Sequence, residues 1–167
     1  MSIRMLVLDV DGVLTDGTLL LSGTGEEWKR FCAADGLGLR LLREVGQVKV
    51  ALLTGRSSEA VARRAGELEL EGLVQGSRDK AAALKRLCAK HEVPPEETAY
   101  MGDDLADLPA MRLAALSAAP ADARPEVREA ADWVAPSAGG RGAVRDLCDH
   151  LLEELGLWDR ALERYGS

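Results

Sequence analysis

The chain has 167 residues, 47% of them apolar, which is typical of one soluble domain with a sizeable core. Its 21 basic and 28 acidic side chains give a net charge of −7, which argues against a broad surface for nucleic acid or anionic membranes. An anionic small molecule is not excluded, since a metal ion or a few arginines can reverse the field of a pocket. Met1–Arg4 leads into a strand without a signal-peptide segment, so we expect one cytoplasmic domain over residues 1–167.

The cysteines and histidines indicate no chemistry of their own. Cys32, Cys88 and Cys148 are an odd number without metal-ligand spacing, so we interpret them as reduced thiols, mostly in the core. His91 and His150 lie on predicted helices without a partner motif, which argues against a histidine-based nucleophile system.

Strand and helix signals alternate from the start of the chain. Met5–Asp9 is a short apolar run that ends in an acid, which predicts a strand buried on both faces. Gly17–Ser22 and Glu26–Phe31 flank a glycine-containing turn and predict a β-hairpin. Asp35 is expected to open a helix over Gly36–Val45, where apolar residues have helical spacing.

The same alternation continues to the end of the chain. Further strands are predicted at Val48–Leu53, Gly72–Gly76, Thr98–Met101, Ala114–Ser117 and Trp133–Val134. Further helices are predicted from a Ser57 cap to Leu68, at Lys80–His91 after an Asp79 cap, from Asp104 to Met111, at Pro125–Ala130 and at Ala143–Leu155. Repeated strand–helix units predict an α/β fold with a doubly wound, mostly parallel sheet, whose ligands bind beyond the carboxyl ends of the strands.

Two carboxylates follow the first predicted strand. Asp9 and Asp11 stand two residues apart beside Gly12, at a tight turn where the backbone can approach a ligand. Such a pair can serve one metal ion and one reacting group, although the pattern also fits a solvated turn. The position at a strand end makes it a candidate site.

Two other element ends carry residues suited to an anion. Thr54 and Gly55 directly follow the second long strand, where a threonine hydroxyl can donate to a phosphate oxygen beside a helix N-terminus. Lys80 lies in the first turn of a helix, where a cation opposes the macrodipole, which favours a role in a site.

A third core strand ends in an acidic cluster. Gly102-Asp103-Asp104 is followed by Asp107, and acids this close repel one another unless a cation is present. Hard oxygen ligands of this kind suit Mg²⁺. Helix capping by Asp103 or Asp104, with Asp107 unrelated, is the alternative.

These residues occur in an order that resembles the haloacid dehalogenase superfamily of phosphohydrolases. The four motifs of that superfamily are matched by Asp9-x-Asp11-Gly12-x-x-Thr15, Thr54, Lys80 and Gly102-Asp103-Asp104.

The resemblance extends to the 3-deoxy-D-manno-octulosonate 8-phosphate phosphatase subfamily and covers nearly the whole chain. It rests on Asp9–Gly17, Phe31-x-x-x-Asp35-Gly36-x-Gly38, Thr54-Gly55-Arg56, Gly102–Leu105 and Gly139–Arg145. That subfamily implies a Rossmann-like core without a large cap domain, a hairpin flap at 18–31 and a C-terminal helix and tail at 143–167. It also implies a sugar phosphate as substrate, a role in lipopolysaccharide biosynthesis, and a homotetramer in which a neighbouring subunit helps to close the site.

The mechanism implied by the resemblance is phosphoryl transfer to a carboxylate. Asp9 would attack phosphorus, and Asp11 would protonate the leaving alkoxide and then deprotonate the attacking water. Mg²⁺ would be held by the carboxylates of Asp9 and Asp103 and by the backbone carbonyl of Asp11. Thr54 and Lys80 would bind the transferring oxygens.

Other residues are assigned by the resemblance alone. Asp104 would orient the metal's water molecules or Lys80. The residues placed around the substrate are Cys32, Ala33, Ala34, Asp35, Gly36, Arg40, Gly55, Arg56, Arg64 and Lys80. We expect Arg56 and Arg64 in one helix, about 80° apart around its axis. There a guanidinium can pair with the carboxylate of an ulosonate sugar, unless both arginines form surface ion pairs with nearby glutamates.

Three alternatives remain open at this point. The substrate could be a nonulosonate 9-phosphate, although the position of Arg56 is typically an acid in phosphatases of that kind. The chain could serve mainly to assemble a cytidylyltransferase complex. A phosphorelay receiver has a similar fold, but its middle strand ends in a phosphoacceptor aspartate where this chain has Thr54.

Overall fold

The computed structural model describes residues 2–166, so the predictions at Met1 and Ser167 lie outside it. Eight strands are formed: β1 Met5–Leu8, β2 Leu20–Leu21, β3 Glu27–Trp28, β4 Lys49–Leu53, β5 Gly72–Val74, β6 Thr98–Met101, β7 Leu116–Ala119 and β8 Trp133–Val134. Seven α-helices accompany them: α1 Ala33–Glu44, α2 Glu59–Glu67, α3 Lys80–His91, α4 Leu108–Met111, α5 Pro125–Ala130, α6 Ala143–Glu154 and α7 Trp158–Glu163.

Six of the strands form one parallel sheet in the order β5-β4-β1-β6-β7-β8. The central strand β1 is buried on both faces, which explains its unbroken apolar sequence. Leu6 and Leu8 belong to the core beneath α1 and α6, whereas Met5 and Val7 belong to the core that includes residues of α3 and α4. Alternate side chains of a strand point to opposite faces, so one strand supports both layers. The predicted doubly wound parallel fold is confirmed.

The hairpin is formed by β2 and β3, an antiparallel pair that stands apart from the main sheet. Leu20 pairs with Trp28, and both side chains are exposed. We call residues 18–31 the flap. No cap domain occurs within residues 2–166.

The first helix begins earlier than its sequence predicts. α1 starts at Ala33, with Cys32 at the N-cap position, so Asp35 lies inside the first turn. The Asp35 carboxylate instead accepts the backbone N–H of Arg145, at 2.9 Å, in the first turn of α6. The N-cap of α6 is Gly142, which has no side chain to satisfy that turn. Asp35 therefore caps a different helix from the one that it was expected to open.

Other elements also differ from the sequence prediction. The helix expected from Asp104 to Met111 is an α-helix only over Leu108–Met111, because Asp104 caps a 3-10 turn at Leu105–Asp107 first, and the strand expected at Ala114–Ser117 forms at Leu116–Ala119. The N-cap of α2 is Ser58 rather than Ser57, so Arg56 precedes the helix that contains Arg64. The expectation that both arginines share one helix is wrong, and the angle between them does not apply. The short helix α7 was not predicted. No helix among residues 2–166 is long and apolar enough to cross a membrane.

Candidate active site

Three neighbouring strands end beside one another at the predicted site. Asp9 follows β1, Thr54 follows β4 and Asp103 follows Gly102 after β6. Leu8, the last residue of β1, is in register with Leu52 and Met101 on the two adjacent strands. Parallel strands present their carboxyl ends at the same edge of a sheet, so the sheet itself assembles the three side chains.

Lys80 reaches this edge from the start of α3. Its Nζ lies 2.9 Å from Asp9 Oδ1 and 2.6 Å from Asp107 Oδ1, and all three side chains are buried. Asp79 caps the helix by accepting the N–H of Ala82, as predicted. Burial disfavours the Lys80 cation, but Asp9 and Asp107 outweigh it and raise the pKa of Lys80. The lysine is therefore held as a cation against the predicted nucleophile.

Asp107 was grouped with the acids that suit Mg²⁺, but the mechanism implied by the resemblance gave it no role. Its Oδ1 also accepts the hydroxyl of Tyr100 at 2.7 Å, and its Oδ2 accepts the backbone N–H groups of Asp103 and Asp104. Asp104 is itself exposed and caps the N–H of Leu105. Among residues 2–166, the acid paired with Lys80 besides Asp9 is therefore Asp107, not Asp104.

The acids fit a divalent cation. Oxygen atoms of Asp9, Asp103 and Asp107 lie within 4.8 Å of one another, and Asp103 Oδ1 is buried without a hydrogen-bond partner. Burial, together with the charges of Asp9 and Asp107, raises the pKa of Asp103 to about 8. Burial and Asp107 raise the pKa of Asp9 to about 6 against the opposing effect of Lys80. Because Lys80 already compensates Asp107, a cation bound to Asp9 and Asp103 would relieve the remaining repulsion.

Asp11 contacts the flap. Its Oδ1 accepts the ammonium of Lys29 at 2.6 Å, and the same ammonium lies 2.7 Å from Glu27 Oε1. The other carboxylate oxygen of Glu27 lies 3.5 Å from Nη2 of Arg56. Burial opposes the charge of Lys29, but the two carboxylates together raise its pKa. This chain of contacts connects the predicted general acid with a predicted substrate residue.

Thr54 is buried at the end of β4, while Gly55 and Arg56 after it are exposed. The Thr54 hydroxyl oxygen accepts the N–H of Arg56 at 3.3 Å. No acceptor for the hydroxyl hydrogen occurs within the described part of the chain, so the hydroxyl can donate to an anion.

The remaining predicted substrate residues lie around the first turn of α1. Ala33, Ala34 and Arg40 are exposed, Cys32 is half-buried, and Asp35 and Gly36 are buried. Arg64 packs directly on Gly36 and places its guanidinium 5.7 Å from the centre of the Phe31 ring. It also pairs loosely with Glu67, at 3.6 Å. No described contact joins Arg64 to Arg56 or to the predicted catalytic acids, Asp9 and Asp11.

A glycine-rich loop at 139–142 packs against the turn after β1, which contains the predicted catalytic residues Asp9 and Asp11. The N–H of Gly140 donates to the carbonyl of Val13, and a side chain at Gly139 would lie 1.8 Å from the carbonyl oxygen of Gly12. This segment carried the family resemblance, and the contact gives a physical reason for its glycines.

Comparison with known proteins places this geometry in a family. The haloacid dehalogenase-like hydrolase family matches residues 68–146. The chain is 45% identical over 160 residues to 3-deoxy-D-manno-octulosonate 8-phosphate phosphatase of Escherichia coli K12. The alignment covers 96% of this chain and 85% of that protein. The chain belongs to the 3-deoxy-D-manno-octulosonate 8-phosphate phosphatase family. It is thus a phosphatase of the haloacid dehalogenase superfamily, as the resemblance implied.

Solved structures of octulosonate 8-phosphate phosphatases agree with this assignment. The Moraxella catarrhalis enzyme, in complex with magnesium ion, phosphate ion and KDO, has a TM-score of 0.94 and 37% identity, over 98% of this chain and 93% of that chain. The cobalt-bound Haemophilus influenzae enzyme has a TM-score of 0.91 and 39% identity, over 94% and 91%.

Proposed function

We propose that this phosphatase hydrolyses 3-deoxy-D-manno-octulosonate 8-phosphate with Mg²⁺ through an aspartyl-phosphate intermediate. The observation that carries the proposal is the juxtaposition at one sheet edge of Asp9, its Lys80 partner and Asp103, whose Oδ1 is buried without a hydrogen bond. A nucleophile, a fixed cation and a metal ligand are the parts that phosphoryl transfer needs. The identity with octulosonate 8-phosphate phosphatases supports the choice of sugar.

Asp9 supplies the nucleophile in the first step. Its carboxylate oxygen attacks phosphorus while the bond between phosphorus and the sugar oxygen breaks. Asp11 gives its proton to the leaving alkoxide, because an alkoxide is a poor leaving group until it is protonated. The Lys80 ammonium, 2.9 Å from Asp9 Oδ1, favours the ionised form of Asp9 that a nucleophile requires.

Asp11 acts as the base in the second step. It takes a proton from a water molecule whose oxygen attacks the phosphorus, and the Asp9 carboxylate leaves. Inorganic phosphate is released and both carboxyl groups return to their starting states. Lys80 and the Thr54 hydroxyl stabilise the phosphoryl oxygens throughout.

The carboxylates of Asp9 and Asp103 would hold Mg²⁺, with the backbone carbonyl of Asp11. When bound, Mg²⁺ supplies the positive charge that brings an anionic nucleophile and an anionic phosphate together. Asp104 is exposed beside this cluster, and although its Oδ1 caps the N–H of Leu105, its carboxylate would also orient water molecules at the metal.

Arg56 is proposed to bind the carboxylate of the sugar. It is exposed, lies two residues after Thr54 and is joined to Asp11 through Glu27 and Lys29. Arg64 and the first turn of α1 would contact the sugar on the other side, beside Phe31.

The flap is proposed to mediate assembly into a homotetramer. Leu19, Leu20, Leu21 and Trp28 are all exposed, with Trp28 65% accessible. These side chains lie on both faces of the hairpin, because Leu20 pairs with Trp28 and Leu21 with Glu27. A two-stranded hairpin cannot bury both faces against its own fold, so a second copy of this chain is the expected cover.

A comparison of substrates tests the proposed function. We expect phosphate release from octulosonate 8-phosphate in Mg²⁺ to exceed that from a nonulosonate 9-phosphate and from p-nitrophenyl phosphate in kcat/KM. Thorough chelation should abolish all three activities, and Mg²⁺ should restore them. A preference for the nonulosonate, or turnover that survives chelation, contradicts the proposal.

A further inference from the structure

Lys29 is the most deeply enclosed cation of the flap. Its side chain is only 1% exposed, although it lies one residue beyond a two-residue strand, and its ammonium contacts Asp11 and Glu27 at once. Burying a charge costs free energy unless other charges compensate it. A lysine that served only to hold the flap in place would cost less free energy at the surface. This placement calls for a role at the group that Lys29 touches.

The strand geometry makes this contact specific. Glu27 and Lys29 are two residues apart in an extended segment, so their side chains lie on the same face, while Trp28 points to the other and is exposed. One face of the flap therefore carries the Glu27 carboxylate and the Lys29 ammonium beside Leu21, and Leu20 and Trp28 lie together on the other. Glu27 provides a second anchor that keeps the ammonium beside Asp11.

We propose that Lys29 is a positioning residue for proton transfer, an inference that rests on the proposed function. By holding Asp11 Oδ1 at 2.6 Å, it leaves Oδ2 as the oxygen that exchanges a proton with the sugar oxygen. Within residues 2–166, Oδ2 has no hydrogen bond of its own. One carboxylate oxygen is thus anchored while the other remains available, which restricts rotation of the acid.

The Lys29–Asp11 contact connects the flap to the proposed proton-transfer step. Glu27 links the ammonium to Arg56, the residue proposed to bind the sugar carboxylate. Three successive charged contacts therefore join the proposed general acid to the proposed substrate residue through the flap. They are Asp11–Lys29, Lys29–Glu27 and Glu27–Arg56.

Leaving-group dependence tests the inference. An alkoxide needs the proton of Asp11, whereas p-nitrophenolate leaves with little assistance. In Lys29→Met, we expect first-turnover release of the octulosonate to fall about 10- to 100-fold, while the p-nitrophenolate burst stays within about threefold of wild type. KM for the sugar phosphate should change far less than kcat, because Lys29 acts on a proton-transfer step. Quench-flow measures the first-turnover release of the octulosonate, stopped-flow absorbance measures the p-nitrophenolate burst, and steady-state kinetics give kcat and KM.

Arg30→Met provides the matched control. Arg30 is also a flap cation, but it is exposed and pairs with Asp16 rather than with Asp11. It should retain the wild-type ratio of the two first-turnover rates. Lys29→Arg keeps a cation but moves it, so it should show the Lys29→Met pattern at smaller size and serves if the Met variant does not fold.

Three outcomes overturn the inference while leaving the proposed function intact. These are equal losses for both leaving groups, no loss for either, and a change confined to KM. Wild-type enzyme without octulosonate 8-phosphatase activity would contradict the proposed function and the inference together, so the two failures are distinguishable.

Discussion

Gly12 lies in the turn after β1, directly against Asp103, and its replacement should damage the proposed metal site specifically. Its φ is +89°, and a Cβ atom there would lie 2.0 Å from Asp103 Oδ2. Real Cβ atoms essentially never approach another heavy atom closer than 3.0 Å, so the carboxylate of Asp103 must retreat by about 1 Å. A carboxylate displaced by that distance can no longer share a cation with Asp9.

Gly12→Ala should therefore lose both stability and metal affinity. The left-handed backbone alone costs about 1–2 kcal/mol, which lowers Tm by about 2–8 °C for a domain of this size. We expect the affinity for Mg²⁺ to fall about 10- to 100-fold and kcat to fall about 100-fold. Isothermal titration calorimetry with Mg²⁺, thermal melting and steady-state kinetics measure the three effects.

Gly25→Ala separates backbone strain from the collision. Gly25 lies in the flap turn with φ +90°, and no atom lies within 4 Å of a Cβ built there. It should show a similar fall in Tm with wild-type Mg²⁺ affinity. If Gly12→Ala binds Mg²⁺ as tightly as Gly25→Ala does, the assignment of Asp103 as a metal ligand is refuted.

Three further predictions concern other parts of the molecule. Burial raises the pKa of Asp35 from 3.8 to about 6, against its hydrogen bond from Arg145. The folded state thus binds this proton more tightly than the unfolded chain does. As pH rises from about 4 to about 6, the free energy of unfolding of the wild type, measured by urea denaturation, should fall by about 2–3 kcal/mol relative to that of Asp35→Asn. Parallel dependence of the two unfolding free energies on pH would contradict this. Arg56→Ala should raise KM for octulosonate 8-phosphate about tenfold and leave p-nitrophenyl phosphate unaffected, since it loses one charged contact to the carboxylate; equal losses would instead place Arg56 at the phosphate. Light scattering at micromolar concentration should give a tetramer that Trp28→Glu weakens, and a wild-type monomer would exclude flap-mediated assembly.

The sequence predicted the sheet and the strand-end residues well because these depend on local patterns. An apolar run buried on both faces, a polar residue after it and a turn glycine are all contiguous, so Asp9, Thr54 and Asp103 could be located without coordinates. The α3 cap at Asp79 was equally local and is confirmed.

Long-range polar contacts were not predictable in the same way. Asp35 resembles a helix cap in sequence, yet its partner is 110 residues away at the start of α6. Asp107 follows Asp104 by three residues, a spacing that fits helix capping, and only the fold brings Lys80 to it. The i, i+2 spacing of Glu27 and Lys29 on a predicted strand was the available signal for the flap contact, but their target, Asp11, becomes visible only in three dimensions.

Direct detection of the phosphorylated enzyme tests the central claim, that Asp9 is the nucleophile. Enzyme turning over octulosonate 8-phosphate in Mg²⁺ is quenched in acid within one turnover and digested, and its peptides are analysed by mass spectrometry. We expect one phosphoryl group on Asp9 in the wild type, and none in Asp9→Asn, which should also lack turnover. A phosphoryl group on another residue, or sustained turnover by Asp9→Asn, would contradict the account.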